Sequence, residues 1–443
     1  MECEFKMKKV IRLAALVLAI AIMATVGLAG CGANGSAGKT VNSKGQVVIR
    51  IAVSGGSGVE AVEDMLRDYA SKNKGVAFKQ EPVVGEYTQK LITQVAAGTA
   101  PDLVWVSDTN VRTLASKGVL VDLAPYYKKY KFDSSDMYES MLLCGQYAGK
   151  QYMMPRDYNR VVLLYNKNLF DNYGVAYPKN GWTWEEFKTT ARKFAKLSNS
   201  GKVYLQRGAN LQLHWGAAAP QLIYGLGGTI ADKVVGGTKA NMNTPGTIAA
   251  IKELKALADE GAIVNNFKND IGGYETGKIA MTATSFPTVG GAITSEERKF
   301  DSDIVAWPVL PKANYVGCGS SGYAVVKTSK CQEEAAGFAI YVASPAGQKA
   351  FSKSGQCVPV LKSLANDKTW RDTVPGINYD ALMPNDYLVD CLQPDVTVGS
   401  DKAATAINSC WTEMLSAYLS GIYDAEKAAE YGNKSLENAF KER

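Results

Sequence analysis

The sequence predicts an α/β protein whose chain folds into two lobes. Short apolar runs alternate with segments of helical periodicity, an order typical of βαβ units and a largely parallel sheet. The chain has 443 residues, which is too many for one small domain and suits two lobes of about 200 residues each. Hydrophobic residues make up 46% and charged residues 21%, an ordinary balance for a globular protein with a sizeable core.

The first elements alternate between strand and helix. Val47–Val53 is an apolar strand that leads into the Gly/Ser-rich loop 54–58. A helix follows because apolar residues recur on one face, at Val59, Val62, Met65, Leu66 and Tyr69. The same reasoning predicts strands at 76–80 and 103–106 and helices at 58–72, 86–97 and 109–117.

Later elements are marked by caps and by two crossovers. A short strand at 149–155 leads to a crossover, and Val161–Asn166 opens the second lobe. Thr183 lies three residues before Glu186, the spacing of a capping box, so a helix starts there and runs to about residue 197. Residues 315–326 form a return crossover, and further helices are predicted at 244–261, 331–343, 345–354, 401–420 and 424–441.

The N-terminus has the order of an export signal. An apolar run of about fifteen residues, Leu13–Gly27, follows a basic segment that contains Lys8, Lys9 and Arg12. It ends in Leu28-Ala29-Gly30-Cys31, which resembles the bacterial lipoprotein signal, in which the Cys is acylated. We therefore expect a signal peptide at 1–30, lipid (palmitate) on Cys31 and a flexible tether at 31–45. The alternative is an ordinary signal peptide or an N-terminal anchor helix.

Composition excludes several classes of function. The net charge of +6 is mild and there is no long basic run, which argues against nucleic-acid binding. His214 is the only histidine and no Cys-x-x-Cys occurs, so a His-based zinc site, a Ser-His-Asp triad and a thioredoxin-like centre lack their residues. We expect no metal and no cofactor. Six cysteines follow Cys31 and are predicted to be mostly buried and free, with pairing left open: Cys144, Cys318, Cys331, Cys357, Cys391 and Cys410.

A dinucleotide-type glycine motif occurs in the wrong context. Gly317, Gly319 and Gly322 have the G-x-G-x-x-G spacing, but they lead into the strand-like Tyr323–Val326 rather than into a helix. The segment is better interpreted as a hinge whose backbone lines a cleft.

Candidate ligand-binding residues cluster where predicted strands and crossovers end. In open α/β sheets, ligands bind beyond the carboxyl ends of the strands. Polar groups and aromatic rings at these places suit a sugar, because rings stack on sugar faces and polar side chains bind hydroxyls. The predicted substrate-binding residues are Gly56, Ser57, Asp108, Arg156, Asp157, Asn159, Trp215, Ser285, Phe286, Gly319 and Ser320.

Structural roles compete with ligand binding at several of these positions. Asp108 could be the N-cap of the helix that follows it. Trp215 could belong to the core rather than to a cleft. Arg156 and Asp157 could form an ion pair at the hinge. The sequence leaves these alternatives open.

Several stretches resemble one protein family. They are Ala96–Trp105, Leu164–Phe170, Trp182–Phe187, Gly277–Met281 and Ala343–Gln348. In these residues the chain is similar to the extracellular solute-binding proteins of bacterial ABC transporters, in the sugar-binding family related to maltose-binding protein. The resemblance covers nearly all of 46–360 and weakens afterwards.

The resemblance implies a two-lobed, hinge-linked, periplasmic-binding-protein-like fold of type II. The N-terminal lobe would comprise 46–155 plus 318–368, and the C-terminal lobe 156–317 plus 369–443. It places Asp108, Asp157, Asn159, the Trp215 stretch and the Ser285-Phe286 loop at the ligand. Two departures argue against maltodextrin itself: Pro287 stands where a related binder has an aromatic residue, and Trp215 and Ala217 replace its acid-aromatic pair.

The predicted function is therefore capture rather than catalysis. We expect a monomeric receptor, anchored by lipid to the outer face of the cell membrane, that captures a mono- or oligosaccharide between its lobes and delivers it to an ABC permease. Two alternatives stay open. One is the same fold binding a non-sugar solute such as a polyamine, a phosphorylated sugar or a peptide, with Arg156 on an anionic group. The other is a surface glycosidase that uses Asp108 and Asp157.

Overall fold

The computed structural model describes residues 38–54, 59–83, 87–201, 203–268, 273–295, 299–355 and 357–441. The chain divides into a unit of residues 1–39 and a compact unit of residues 40–443, and the architecture below is that of the second unit. The predicted signal peptide (1–30), Cys31, Gly56 and Ser57 lie outside the described residues. No helix in the described ranges combines the length and apolar character needed to span a membrane.

Fifteen strands form within the described ranges, most of them short. They are β1 (Val47–Ser54), β2 (Val76–Val83), β3 (Leu103–Ser107), β4 (Gln146–Tyr147), β5 (Lys150–Gln151), β6 (Met154–Pro155), β7 (Asn159–Arg160), β8 (Val162–Asn166), β9 (Lys196–Leu197), β10 (Tyr204–Asn210), β11 (Ile279–Thr284), β12 (Ser302–Ala306), β13 (Tyr315–Gly319), β14 (Ser321–Val325) and β15 (Val389–Cys391).

The helices cover these sheets. In the described ranges they are α1 (Val59–Lys72), α2 (Tyr87–Ala96), α3 (Asp108–Ser116), α4 (Glu139–Cys144), α5 (Lys167–Asn172), α6 (Trp184–Arg192), α7 (Ala219–Gly225), α8 (Pro245–Asp259), α9 (Phe286–Thr294), α10 (Gln332–Val342), α11 (Pro345–Ser352), α12 (Lys368–Arg371), α13 (Pro394–Thr397), α14 (Asp401–Leu419) and α15 (Ala425–Lys441).

Two five-stranded sheets organise the fold. The first has the order β2-β1-β3-β14-β6 and the second the order β12-β8-β11-β10-β9. Strands β8, β11 and β14 are buried at every position, as expected for strands covered on both faces. Each sheet draws its strands from the ranges of one predicted lobe. The lobe boundaries themselves stay a prediction.

The prediction of largely parallel sheets is only partly correct. Strands β1, β2 and β3 are parallel, and so are β10 and β11. However, β14 runs antiparallel to β3, and β8 runs antiparallel to β11 and β12. Here strands enter the sheet from the opposite end, which a hydrophobic pattern does not reveal.

Two antiparallel segments pass between the sheets. In a three-stranded sheet of order β15-β13-β7, Gly319 of β13 lies opposite Asn159 of β7. Further along the same two segments, Gly322 of β14 lies opposite Pro155 of β6 in the first sheet. These segments occupy the positions of the two predicted crossovers. They place residues 156–160 and 317–321 side by side.

Candidate ligand site

Asp108 lies at the carboxyl end of β3, as the first residue of α3. Its side chain is buried, and its carboxylate accepts the Thr109 N–H at 2.9 Å and the Ser320 N–H at 3.3 Å. Its own N–H donates to the Ser320 carbonyl at 3.0 Å. The N-cap position belongs to Ser107. Asp108 is therefore tied to β13–β14 rather than acting as the cap.

The environment of Asp108 favours its neutral form. Burial raises the pKa of Asp108 to about 7, and the nearby Asp395 carboxyl adds to the shift. The Cys144 thiol is its other neighbour, with Sγ 3.9 Å from Oδ2. Few strong donors reach this carboxyl, so its charged form gains little compensation for burial.

Asp157, by contrast, has a full set of partners at the first crossover. It accepts the Ser321 N–H at 2.8 Å, the Ser321 hydroxyl at 2.7 Å and the Asn159 amide at 2.8 Å. Arg156 Nη2 adds an ion pair at 2.9 Å, and the Arg156 guanidinium also lies 4.4 Å from the centre of the Phe351 ring. This geometry matches the hinge ion pair that the sequence left as an alternative.

One polar atom of this crossover lacks a partner. The Asn159 side chain donates through Nδ2 to Asp157, but its Oδ1 is buried with no hydrogen-bond partner among the described residues. A buried oxygen without a donor costs free energy, so a ligand hydroxyl would be favourable here.

Strand β13 and Ser320 join these groups. A Cβ atom on Gly319 would lie 2.5 Å from Asp108 Oδ2, so only glycine lets the strand pass this close. The Ser320 hydroxyl donates to the Asp157 carbonyl at 2.7 Å. The structure therefore brings together six predicted site residues: Asp108, Arg156, Asp157, Asn159, Gly319 and Ser320.

The Trp215 turn meets the same strand two residues earlier. Trp215 is half-buried, and it packs against the core on one side. A Cβ atom on Gly317 would lie 1.7 Å from the Ala217 carbonyl oxygen, so the turn rests directly on β13. Gln212, which begins the turn, has a left-handed backbone with φ of 55°. Such a conformation in a non-glycine residue is often kept at binding sites.

The predicted Ser285-Phe286 contact is placed differently. Ser285 precedes α9, and its hydroxyl makes no capping bond. Phe286 is fully buried, with ring centroids 6.2 Å from Trp370 and 5.9 Å from Tyr379. The Phe286 ring thus packs in the core, while α9, the helix that Phe286 begins, lies against β7.

Sequence reasoning missed the segment that carries α13. Asp395 lies near Asp108, and burial raises the pKa of Asp395 to about 6. Arg112 of α3 donates to the Asp395 carbonyl at 3.3 Å and forms an ion pair with Asp401 at 2.9 Å. The resemblance weakens beyond residue 360, so only the polar residues around Pro394 could have pointed here.

Other features do not coincide with this cluster. Within the described ranges, no group of three or more His, Cys, Asp or Glu residues could hold a metal ion. A cavity of ≈ 400 Å³ lies between α1 and α10, and another of ≈ 460 Å³ lies beside Tyr147 and β15. Neither cavity is lined by a predicted site residue.

Two relatives among known proteins are named as sugar-binding proteins. The chain is 24% identical over 345 residues to the diacetylchitobiose binding protein DasA of Streptomyces coelicolor, covering 76% of each chain. It is 24% identical over 357 residues to the maltodextrin-binding protein MdxE of Bacillus subtilis, covering 77% of this chain and 79% of that one.

Solved structures share the fold. An ABC substrate-binding protein of Listeria monocytogenes in complex with cycloalternan has a TM-score of 0.72 at 23% identity, covering 88% of this chain and 98% of that one. UgpB from Mycobacterium tuberculosis in complex with glycerophosphocholine has a TM-score of 0.71 at 19% identity, covering 89% and 98%. These likenesses support the predicted α/β fold with two lobes.

A family description covers most of the chain. Residues 64–375 match the family described as bacterial extracellular solute-binding protein. This confirms the family resemblance drawn from the sequence. The family consists of binding proteins rather than enzymes, and it works outside the cytoplasm. The chain belongs to the bacterial extracellular solute-binding proteins.

Proposed function

We propose that this protein captures a neutral mono- or oligosaccharide and delivers it to an ABC permease. The observation that carries the proposal is the convergence of a half-exposed Trp215, Asp108 and the unpartnered Asn159 oxygen on strand β13. An aromatic face with a few oriented polar groups is the usual composition of a sugar pocket. Relatives named for diacetylchitobiose and maltodextrin support this ligand class.

Binding would combine ring stacking with hydroxyl hydrogen bonds. Trp215 offers its face to a sugar ring, and Asn159 and Asp108 accept from hydroxyl groups. Closure of the two lobes around the ligand is then what the permease recognises, a ligand-driven shift between open and closed states. The lobe boundaries 46–155 plus 318–368 and 156–317 plus 369–443 belong to this proposal. So do the monomeric state and the absence of catalysis.

The charges of the cluster favour a neutral ligand over an anionic one. Arg156 is paired with Asp157 and bonded to Ser321, so its charge is already compensated. The Asp108 and Asp395 carboxyls lie nearby and, once ionised, would repel an anion. They also favour one alternative, a cationic non-sugar solute such as a polyamine.

A thermal-shift screen of residues 32–443 tests the proposal. The panel contains mono- and oligosaccharides, with spermidine, glycerophosphocholine, inorganic phosphate and short peptides alongside. A ligand that binds only the folded state raises the melting temperature. At a ligand concentration of a hundred times its Kd, the folded state is stabilised by about 2.7 kcal/mol. We expect a shift with one class of sugar. A shift with a charged solute alone would keep the fold and contradict the sugar, and release of reducing sugar from glycans would contradict the non-catalytic role.

Attachment to the membrane rests on Cys31 and has its own test. We propose that Cys31 is acylated and anchors the chain to the outer face of the cell membrane. In cells grown with labelled palmitate, the wild-type protein should carry label and sediment with membranes, and Cys31→Ser should do neither. An unchanged membrane fraction in Cys31→Ser would indicate an uncleaved anchor helix instead.

A further inference from the structure

Gln393 lies beside the turn that carries Trp215, the aromatic residue of the candidate site. It precedes α13 as the N-cap residue and is partly exposed. A Cβ atom added to Gly216 would lie 2.3 Å from Gln393 Oε1. The carboxamide of Gln393 therefore rests on the backbone of the residue that follows Trp215, in space that only a glycine at 216 leaves open.

The Gln393 carboxamide has no hydrogen-bond partner among the described residues. It does not cap α13, although it stands at the N-cap position. The backbone carbonyl of the same residue, by contrast, accepts the Val396 N–H at 3.1 Å. Gln393 thus uses its main chain for structure and keeps its side-chain donor and acceptor available next to Gly216, the residue that follows Trp215.

The turn that presents Gln393 is fixed by contacts with two other parts of the chain. Arg112 donates to the carbonyls of Asp395 at 3.3 Å and Val396 at 3.4 Å. The Thr397 hydroxyl donates to the Val234 carbonyl at 2.8 Å. A side chain on a turn held in this way keeps its position, and a fixed position is what selective recognition requires.

We propose that Gln393 is a specificity-determining residue whose carboxamide binds hydroxyl groups of the sugar ring that stacks on Trp215. The inference rests on the proposed function and adds a residue to it. A carboxamide donates two hydrogen bonds and accepts others, so it matches a hydroxyl pair in which one group donates and the other accepts. Because the carboxamide is neutral, this recognition selects the orientation of hydroxyls and is insensitive to salt.

Two variants disturb this group in different ways. Gln393→Met keeps the length of the side chain and removes its hydrogen bonds. Gly216→Ala does not change residue 393. It displaces the flexible Gln393 side chain, because the new methyl group would occupy the space of the Gln393 carboxamide. Gln332→Met is the matched control. Gln332 begins α10, in another part of the fold, and its side chain donates to the Lys327 carbonyl.

Isothermal titration of residues 32–443 with glucose, maltotriose, mannotriose and N,N′-diacetylchitobiose measures the effect. For the sugar that binds the wild-type chain, we expect Gln393→Met and Gly216→Ala to weaken binding roughly 3- to 10-fold, with Gln332→Met unchanged. A deoxy analogue lacking the contacted hydroxyl should lose affinity for the wild-type chain but not for Gln393→Met.

The outcomes separate the inference from the proposed function. Equal affinity of the wild-type chain and Gln393→Met, at unchanged melting temperature, overturns the inference alone. If the wild-type chain binds none of these sugars, the proposed function fails and the inference falls with it.

Discussion

Burial has different consequences for the two acidic residues of the candidate site. Asp157 gains hydrogen bonds from Ser321 and Asn159 and an ion pair with Arg156. Asp108 gains only two backbone donors and a thiol, and it faces Asp395. The first carboxylate is held by its partners, whereas the second is buried at a cost that favours its protonated form.

Stability should therefore fall as pH rises, with Asp108 as one cause. Burial raises the pKa of Asp108 to about 7, so between pH 4 and 7 the folded chain binds more protons than the unfolded chain. The free energy of unfolding then decreases with rising pH, by at most about 1.4 kcal/mol per unit for one proton. Urea unfolding at pH 5, 6 and 7.5 should show a shallower dependence in Asp108→Asn than in the wild-type chain.

The control for this pH profile is Asp386→Asn, at an exposed position. It should leave the slope unchanged. An Asp108→Asn slope equal to that of the wild-type chain would assign the effect to Asp395 and contradict the role of Asp108. Arg112 lies on α3 with Asp108 and binds the Asp395 carbonyl, so both variants keep Arg112.

We expect Trp215 to contribute strongly to ligand binding. Trp215→Ala should weaken sugar binding about 10-fold or more, since a stacked aromatic ring contributes on the order of 1–3 kcal/mol. Trp215→Phe should retain most of the affinity, and Tyr431→Ala, at an exposed aromatic residue, serves as the control. Titration calorimetry measures all three. Wild-type affinity in Trp215→Ala would place the ring outside the site.

At the scale of elements, sequence patterns located most helices and the central strands. The capping box at Thr183 is present, but α6 ends at Arg192 instead of near residue 197, because Lys196-Leu197 pairs with β10. Strand β10 itself was not predicted. It contains Arg207, which is buried with its guanidinium bonded to the carbonyls of Ala258 and Ile263. Partners so distant in sequence leave no local signal.

The close passage of β13 under the Trp215 turn gives a test at this scale. Gly317→Ala should destabilise the fold by about 2–3 kcal/mol, because the methyl group would collide with the Ala217 carbonyl oxygen. Gly291→Ala, in the middle of α9 with open space around it, should be neutral or stabilising by up to about 1 kcal/mol. Chemical unfolding compares the two. Equal stabilities would mean that the turn is not packed on β13.

For the whole molecule, the sequence was enough for the fold class and the family, and not for the full site. Asp108 and the crossover residues were predicted because they follow predicted strands. Gln393 and Asp395 were not predicted, because they lie in a C-terminal segment where the family pattern weakens. Tertiary packing alone brings α13 against α3 and the Trp215 turn.

The cysteines also show how the whole fold determines chemistry. All six described cysteines are free and buried, as the sequence favoured. Burial raises the pKa of Cys331 and of Cys410 to about 11, so neither thiol is ionised at neutral pH. Folded residues 32–443 should therefore react negligibly with a thiol reagent at pH 7.5. After unfolding without reductant, six thiols should react, and a smaller number would reveal a disulfide.

Because these thiols are buried, a cysteine introduced on the surface can be labelled selectively. His214 is exposed and immediately precedes Trp215, so His214→Cys would offer a single accessible attachment point among the described residues. An environment-sensitive dye at that point would change its emission when a solute displaces water from the neighbouring ring. The chain would then serve as a reagentless fluorescent sensor for its own cargo.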